Sequence, residues 1–236
     1  MSKILHKYTY LLYHEQNRVA PLEISAILCY NYTMYSFIKR MLDILFSLIG
    51  LIFLLPVSLL VWLAYLCSGD FHCIIYTQTR IGKNGKPFKM FKFRTMVPDA
   101  DKKLAEILQN PKYKDEWDRY HKIEDDPRTT KIGRFIRHGS IDEMPQVINV
   151  LFGQLSIIGP RPLVPGEIEG YKGEKELYES VKPGITGWWA VNGRSNMDSE
   201  QRMALEYYYI DNQSLWLDIK IFFKTIGAVF SRRGAK

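Results

Sequence analysis

The longest apolar stretch of the chain runs from Met41 to Cys67, and residues 44–67 carry no charged side chain. This pattern predicts a membrane helix, because about 20 consecutive apolar residues cross the hydrocarbon core of a bilayer. Pro56 lies near the middle, where it removes a backbone hydrogen bond and predicts a kink. Two topologies follow: a bent span, or a re-entrant helix that enters and leaves by the same face. Basic residues flank both ends of the segment, beginning with Lys39 and Arg40. The positive-inside rule would place both flanks in the cytoplasm, which favours the re-entrant form.

Residues 71–97 have the pattern of a β-hairpin. The run from Phe71 to Gln78 is rich in β-forming residues, and residues 88–94 roughly alternate apolar with basic side chains. Between them, Asn84-Gly85 is a strong local signal for a hairpin turn. The predicted hairpin has one apolar and one cationic face. The cationic face could bind phosphate groups or anionic lipid head groups, or it could simply be solvated.

Helical patterns occupy much of the remaining chain. Residues 99–109 predict a helix with an acidic first turn, and residues 147–152 predict an apolar helical face that stops at Gly153. Residues 215–230 predict an aromatic, basic-ended amphipathic helix suited to the membrane interface, with a core helix as the alternative. Residues 182–194 have the pattern of a Gly-rich, aromatic loop. Its aromatic side chains could stack on a base and its backbone could bind a diphosphate, although such aromatic side chains more often serve to pack the protein core.

A cationic helix face precedes the most prominent acidic motif. Residues 129–138 place cations at helical i, i+3 and i+4 spacings, namely Lys131, Arg134, Arg137 and His138. Asp142 and Glu143 follow closely, so a phosphate held by this face could lie within reach of both carboxylates. Further along, Arg161 stands between two prolines that favour an extended backbone, as a phosphate-binding guanidinium would need.

The carboxylate pair lies in the sequence Ser140-Ile141-Asp142-Glu143-Met144-Pro145-Gln146. Ser140 followed three residues later by Glu143 fits a capping box at the start of a helix, which is the structural interpretation of the motif. That interpretation leaves Asp142 unused at the second helical position. A helix dipole there favours the ionised carboxylate, and an ionised carboxylate suits a nucleophile or a metal ligand.

Composition and missing motifs narrow the chemistry. The chain has 236 residues, a formal charge of +7 and a pI near 9.2, which favours an anionic partner. Its 3 cysteines form no CxxC pair, so neither a disulfide framework nor a zinc site is indicated. The sequence also lacks a P-loop and the GxGxxG, GxSxG and HExxH motifs. Phosphoryl transfer at a membrane surface accounts for the remaining features.

Several motifs, in this order, closely resemble those of the bacterial sugar transferase family, the monotopic polyprenyl-phosphate phosphoglycosyl transferases. Beyond the Lys-Arg-flanked apolar segment and the carboxylate motif, they are Gln78-Thr79-Arg80-Ile81-Gly82, Lys89-Met90-Phe91-Lys92-Phe93-Arg94-Thr95-Met96, Asp126-Pro127-Arg128, Gly159-Pro160-Arg161-Pro162 and Lys182-Pro183-Gly184-Ile185-Thr186-Gly187. The resemblance covers residues 37–233 and corresponds to the minimal catalytic form of the family.

The resemblance implies a reaction. A sugar 1-phosphate passes from a UDP-sugar to undecaprenyl phosphate with release of UMP, which initiates a surface polysaccharide, capsule, lipopolysaccharide or glycoprotein glycan. By the same resemblance Asp142 is the nucleophile that forms a covalent phosphosugar intermediate, Glu143 supports it, and Mg²⁺ binds near Asp142. Lys92, Arg137 and Arg161 occupy phosphate-contacting positions of the family, and Arg94 is a further candidate for that role.

The resemblance also implies an organisation. The predicted fold is an α-rich α+β arrangement with a re-entrant, Pro-kinked membrane helix, interfacial amphipathic helices and a small β-hairpin. We expect an N-terminal extension (1–36), the re-entrant helix (37–70) and a catalytic domain (71–236) on the cytoplasmic face of the bacterial inner membrane. The family breaks its helix at a Ser-Pro pair, whereas this chain has Leu55-Pro56. Membrane lipids are expected partners and nucleic acid is not; homodimer formation stays open.

Two other functions compete. A non-catalytic, membrane-anchored protein could use its basic surface to bind anionic lipid or nucleic acid. A glycosyltransferase that uses Asp99 and Asp101 as a DxD metal motif would release UDP instead of UMP. The DxD match is short, and acidic residues in a first helical turn are ordinary complements of the helix dipole.

Overall fold

The computed structural model describes residues 22–120, 123, 125–170, 174–193, 197 and 199–230. Its first element is helix α1 (Leu22–Cys67), whose segment from Tyr30 to Cys67 is long and apolar enough to cross a membrane. Pro56 lies inside α1, and the helix continues on both sides of it. The predicted kink and re-entrant path therefore stay predictions. Of the predicted N-terminal extension, residues 1–21 lie outside the described residues, whereas residues 22–36 belong to α1.

The elements after α1 are short. In chain order they are β1 (Ile75–Ile81), β2 (Pro87–Phe93), α2 (Ala100–Ile107), α3 (Pro111–Tyr120), α4 (Lys131–His138), α5 (Gln146–Leu151), β3 (Ser156–Ile158), α6 (Lys175–Glu179), β4 (Gly184–Thr186), α7 (Trp188–Asn192), α8 (Ser199–Asp211) and α9 (Leu215–Phe230). Three-residue 3₁₀ turns lie at Lys83–Gly85, Ile141–Glu143 and Ile168–Gly170. The helix-rich class with small strands is confirmed.

The predicted hairpin is confirmed, although its first strand begins later than the sequence pattern indicates. Strands β1 and β2 form a two-stranded sheet. Asn84 and Gly85 both have left-handed backbones, with φ of 60° and 72°. Two successive residues with positive φ suit the twist of a tight hairpin, which is why Asn-Gly is favoured there.

The chain divides into two compact units. Among the described residues, the first contains those of 22–51, 78–90 and 146–230, and the second contains those of 52–77 and 91–145. Helix α1 and the hairpin contribute residues to both units.

The first unit contains the parallel pair β3 and β4, in which Ser156 pairs with Gly184. The buried carboxylate of Asp43, from α1, accepts hydrogen bonds from the Ser156 hydroxyl and the Ile157 amide, both at 2.9 Å. A buried carboxylate is stable only when polar partners replace its lost hydration. Asp43 therefore ties α1 to strand β3.

The basic pair before the apolar segment is also used inside the first unit. Lys39 Nζ donates to Asp218 at 2.7 Å. Arg40 donates to the carbonyl oxygens of Val150 and Leu151, at 2.6 and 2.8 Å. These carbonyls lie at the end of α5, where a helix leaves its last acceptors unpaired. The two cations that the sequence places at the membrane flank thus attach α1 to this unit.

Residues 182–194 were predicted to form a loop, and that prediction is wrong for most of the segment. It contains strand β4 and the short helix α7. The glycines permit close backbone packing: a Cβ on Gly184 would lie 2.1 Å from the amide nitrogen of Gly159. Arg194 lies outside the described residues.

In the second unit, α4 packs directly on the residues that follow β2. Thr130 caps α4 by accepting from the Gly133 amide at 2.8 Å, and its own amide donates to the Thr95 carbonyl at 3.0 Å. A Cβ on Gly133 would lie 1.9 Å from the same Thr95 oxygen, so only glycine fits at this contact. The close approach sets the position of α4 and of the arginine it carries, Arg137.

We expect Gly133→Ala to lower the stability of the protein by about 1–3 kcal/mol, because the added methyl group forces α4 away from Thr95. The measurement is the thermal unfolding midpoint in detergent. Gly227→Ala is the matched control, since Gly227 is an exposed helical glycine of α9 with no atom within 4 Å of an added Cβ. It should leave the midpoint unchanged or raise it. Equal effects of the two substitutions would contradict the proposed packing.

Candidate active site

The carboxylate pair lies in a 3₁₀ turn, Ile141–Glu143, and the predicted capping box is wrong. Ser140 precedes the turn with a left-handed backbone (φ 54°), and its side chain makes no capping hydrogen bond. A capping residue normally has an extended backbone, from which its side chain reaches the amides of the first turn. Glu143 does not reach back to Ser140; it contacts a cation on another element.

That cation is Lys92, on β2. Its Nζ donates to Glu143 Oε1 at 3.0 Å, and both side chains are partly buried. The contact joins residues 51 positions apart, which is why local pattern could not reveal it. Lys92 is thereby held beside the acidic turn.

Asp142 is partly buried, and burial raises its pKa to about 6. Lys92 and Arg137 oppose this rise in pKa, while the neighbouring charge of Glu143 adds to it. The predicted effect of a helix dipole, which would favour the ionised form, therefore does not dominate, because the net shift of the Asp142 pKa is upward. A three-residue turn aligns too few peptide dipoles to offset the cost of removing the carboxylate from water.

Arg137, near the end of α4, is oriented by two threonines. Its Nε donates to Thr95 Oγ1 at 2.8 Å and its Nη1 to Thr129 Oγ1 at 3.4 Å. The side chain is exposed, and its charge favours the ionised form of Asp142. Sequence reasoning did not select the threonines as site residues, although Thr95 lies within a quoted motif.

The second unit thus brings together four of the predicted site residues: Asp142, Glu143, Lys92 and Arg137. The arrangement is one partly buried carboxylate with two cations acting on it. Such a group can attack an electrophilic phosphorus while the cations balance the charge of phosphate oxygens.

Arg94 lies in the same unit but uses its nitrogens in internal contacts. Nε donates to the Cys73 carbonyl at 3.0 Å, Nη1 to the Met96 carbonyl at 3.1 Å, and Nη2 to Asp70 at 2.9 Å. The buried guanidinium also lies 4.5 Å from the Tyr65 ring centroid. These contacts attach the end of α1 to the chain after β2, so the structure favours a structural role for Arg94 over phosphate binding.

Arg161 belongs to the first unit. Its guanidinium carbon lies 5.7 Å from the ring centroid of Trp189, and its Nε lies 3.9 Å from Glu167 Oε1. Arg202 also faces Glu167, with 3.5 Å between Nη2 and Oε1. The side chain of Arg161 is 33% exposed, which leaves it accessible to a ligand. Trp189 lies in the aromatic segment selected from the sequence, whereas Glu167 and Arg202 carried no sequence signal.

The donor set near Asp142 fits a magnesium ion that arrives with a phosphate substrate. The described part of the chain has no group of three or more His, Cys, Asp or Glu side chains placed to hold a metal. Mg²⁺, however, is commonly held by one or two carboxylates, substrate phosphates and water. Asp142, whose charged form is disfavoured by burial, is a carboxylate that a divalent cation would stabilise.

The chain thus combines a helix that is long and apolar enough to cross a membrane with a carboxylate and cations suited to phosphate chemistry. The family model described as bacterial sugar transferase matches residues 34–232, and the chain belongs to this family. The resemblance inferred from the sequence motifs is thereby confirmed.

Named relatives cover most of this chain. The UDP-galactose-lipid carrier transferase of Erwinia amylovora is 44% identical over 200 residues, covering 84% of this chain and 42% of the relative. The undecaprenyl-phosphate galactose phosphotransferase of Salmonella typhimurium is 42% identical over 200 residues, with the same coverage of 84% and 42%. The exopolysaccharide production protein ExoY of Sinorhizobium fredii is 42% identical over 198 residues, covering 84% of this chain and 87% of the relative. The chain thus spans less than half the length of the first two.

Proposed function

We propose that this protein transfers a sugar 1-phosphate from a UDP-sugar to undecaprenyl phosphate, with release of UMP, and so initiates a surface polysaccharide. The names of the galactose phosphotransferase and lipid carrier transferase relatives support the substrates, and ExoY supports the pathway class. The observation that carries the proposal is Asp142, a partly buried carboxylate on which Lys92, Glu143 and Arg137 all act.

The first step forms a covalent intermediate. An oxygen of ionised Asp142 attacks the sugar-bearing phosphorus of the UDP-sugar. The bond between this phosphorus and the oxygen that bridges to the uridine phosphate breaks, and UMP leaves with the electron pair. The product is a phosphosugar esterified to Asp142 as an acyl phosphate.

The second step returns Asp142 to its starting state. A phosphate oxygen of undecaprenyl phosphate attacks the same phosphorus, and the acyl phosphate bond breaks. The sugar is then carried on undecaprenyl diphosphate, and the sequence of two displacements requires no net proton transfer.

The neighbouring side chains have defined roles in this scheme. Lys92 and Arg137 balance the negative charge of the phosphate oxygens, and Glu143 holds Lys92 beside the nucleophile. Mg²⁺ held by Asp142 and the diphosphate would add positive charge at the reacting phosphate. Arg161 binds a substrate phosphate; the support is its family motif and its partly exposed side chain. Arg94 is left out of the phosphate-binding set because its nitrogens bond internally.

We further propose that α1 is re-entrant, so that both of its ends lie on the cytoplasmic side of the bacterial inner membrane. Basic residues on both flanks of the apolar segment support this topology. Helix α9 is proposed to lie at the membrane interface. Its support is a set of exposed apolar side chains, with Trp216 76% exposed and Phe223 66% exposed, which membrane lipid would cover.

The test is nucleotide release from a panel of UDP-sugars by the protein in nanodiscs with undecaprenyl phosphate and Mg²⁺. Repeated turnover with UMP release that requires undecaprenyl phosphate is the expected result, since without this acceptor the scheme stops after one UMP per protein, and the best donor identifies the sugar. UDP release would show that the sugar alone is transferred, as the DxD alternative requires. No nucleotide release with any donor would favour the non-catalytic lipid- or nucleic-acid-binding alternative.

A further inference from the structure

A buried carboxyl group in the first unit has no role in the proposed reaction. Glu206, on α8, is 2% exposed. Its Oε2 is hydrogen-bonded to the hydroxyl of Tyr178, on α6, and its Oε1 has no partner within the part of the chain that the structure describes. A buried carboxylate with so few partners is costly when charged, whereas a carboxylic acid is not.

The hydrogen bonds of Tyr178 indicate which group carries the proton. The Tyr178 hydroxyl lies 2.8 Å from the carbonyl oxygen of Arg161. A carbonyl can only accept, so the single hydroxyl proton of Tyr178 is donated to Arg161. The contact between Tyr178 and Glu206 then needs a proton from Glu206. Counting donors and acceptors therefore makes Glu206 a carboxylic acid that donates to the Tyr178 oxygen.

The surroundings of Glu206 agree with this count. Burial raises the pKa of Glu206 to about 7, although Tyr178, Arg202 and Arg161 act in the opposite direction. The other titratable and charged groups of this region are Tyr207 on α8, Glu174 before α6, and Glu167 and Arg80, which face each other. Below about pH 7 the acid form of Glu206 predominates.

The hydrogen bonds that run from Glu206 through Tyr178 end at the carbonyl oxygen of Arg161. The guanidinium and the backbone of Arg161 also act on the Glu206 carboxyl, in the direction that lowers its pKa. A neutral Glu206 has a second effect on charge. The charges of Arg161 and Arg202, which act on Glu206, are then opposed by one carboxylate fewer, and both guanidinium groups also face Glu167.

We propose that Tyr178 and protonated Glu206 are positioning residues for Arg161, holding its backbone so that its guanidinium can bind the phosphate of the UDP-sugar. The proposal rests on the phosphate-binding role given to Arg161 under the proposed function. Ionisation of Glu206 would draw the Tyr178 proton to the carboxylate and release the Arg161 carbonyl. Binding of the UDP-sugar should therefore weaken as pH rises through the range in which Glu206 loses its proton.

The test compares the KM for the UDP-sugar with kcat as a function of pH. For the wild type, KM should rise above about pH 7 while kcat changes less. Tyr178→Phe and Glu206→Ala should raise KM about tenfold at all pH values, because each removes one hydrogen bond of the chain. Glu206→Gln should keep KM within about twofold of the wild type and remove its rise at high pH, because the amide donates permanently to Tyr178.

Tyr207→Phe is the matched control. Tyr207 is adjacent to Glu206, and its buried hydroxyl has no hydrogen-bond partner among the residues that the structure describes. The KM of Tyr207→Phe should therefore equal that of the wild type. Thermal unfolding in detergent identifies any variant that fails to fold. If Glu206→Ala or Tyr178→Phe does not fold, the KM of Glu206→Gln, which preserves the shape of the side chain, is compared with that of the wild type. A Glu206→Gln variant as impaired as Glu206→Ala, with the pH dependence retained, would overturn the proposal.

Infrared spectroscopy provides a readout that does not depend on activity. The difference between the spectra of the wild type and Glu206→Gln should contain a protonated-carboxyl band that disappears as pH rises through about 7, because Asp142 contributes equally to both proteins. Absence of this band from the difference overturns the proposal whatever the kinetics show. Failure of the proposed function is distinguishable, since it would be seen as no UMP release by the wild type with any donor.

Discussion

Asp142→Asn should abolish UMP release, with a loss in kcat of at least about a thousandfold. An amide has nearly the same shape as a carboxylate, but it lacks the anionic oxygen that attacks phosphorus. Because burial already disfavours the charged form of Asp142, the neutral amide should not reduce the stability of the fold. The loss should therefore be in chemistry alone, with an unchanged unfolding midpoint.

The same variant tests the covalent intermediate. Wild-type protein incubated with a UDP-sugar labelled in the sugar, without undecaprenyl phosphate, should retain label on the polypeptide, and Asp142→Asn should not. Asp101→Asn is the matched control, because Asp101 is an exposed carboxylate in the first turn of α2. It should leave UMP release intact. Retention of activity by Asp142→Asn, or its loss in Asp101→Asn, would contradict the assignment of the nucleophile.

Lys92→Met should reduce UMP release by about a hundredfold and move the acid limb of the pH profile to higher pH. Catalysis needs ionised Asp142, whose pKa is raised to about 6, so wild-type activity should fall as pH decreases through this value. Lys92 lowers the pKa of Asp142, and its removal should raise it. A larger fraction of Asp142 is then protonated at a given pH in the variant, which moves the acid limb to higher pH.

Lys89→Met provides the control for this prediction. Lys89 is another lysine of β2, exposed and bonded to Thr79 Oγ1 at 2.9 Å. Its removal should change neither the rate nor the position of the acid limb. The measurement is kcat/KM for UMP release over a pH series. A Lys92→Met profile that falls in height without moving would show that Lys92 binds phosphate but does not control the ionisation of Asp142.

Local pattern predicted several elements of the fold correctly. The apolar run predicted α1, Asn84-Gly85 predicted the hairpin turn, and the spacing of cations predicted α4. Each of these signals acts over a few neighbouring residues, through side-chain periodicity or backbone preference. A pattern that fits both a loop and a closely packed strand was less informative. The Gly-rich aromatic stretch was predicted as a loop because its glycines do not reveal the close strand packing that requires them.

The candidate site was predicted in part. Ordered motifs selected Asp142, Lys92 and Arg137, and the structure places them where both cations act on the carboxylate. The same motifs also selected Arg94, whose internal partners depend on how the end of α1 meets the chain after β2. Sequence reasoning missed Glu206, because a single glutamate in a helix gives no sign of being buried.

The sequence by itself determined the long apolar helix, the hairpin, the family and the identity of the acidic pair, because these depend on composition and on short, ordered motifs. Only the tertiary structure decided the partner of Glu143, the raised pKa of Asp142 and the internal use of Arg94. Removal of a group from water, and contact with residues far away in the chain, depend on packing. A local sequence pattern carries little information about either.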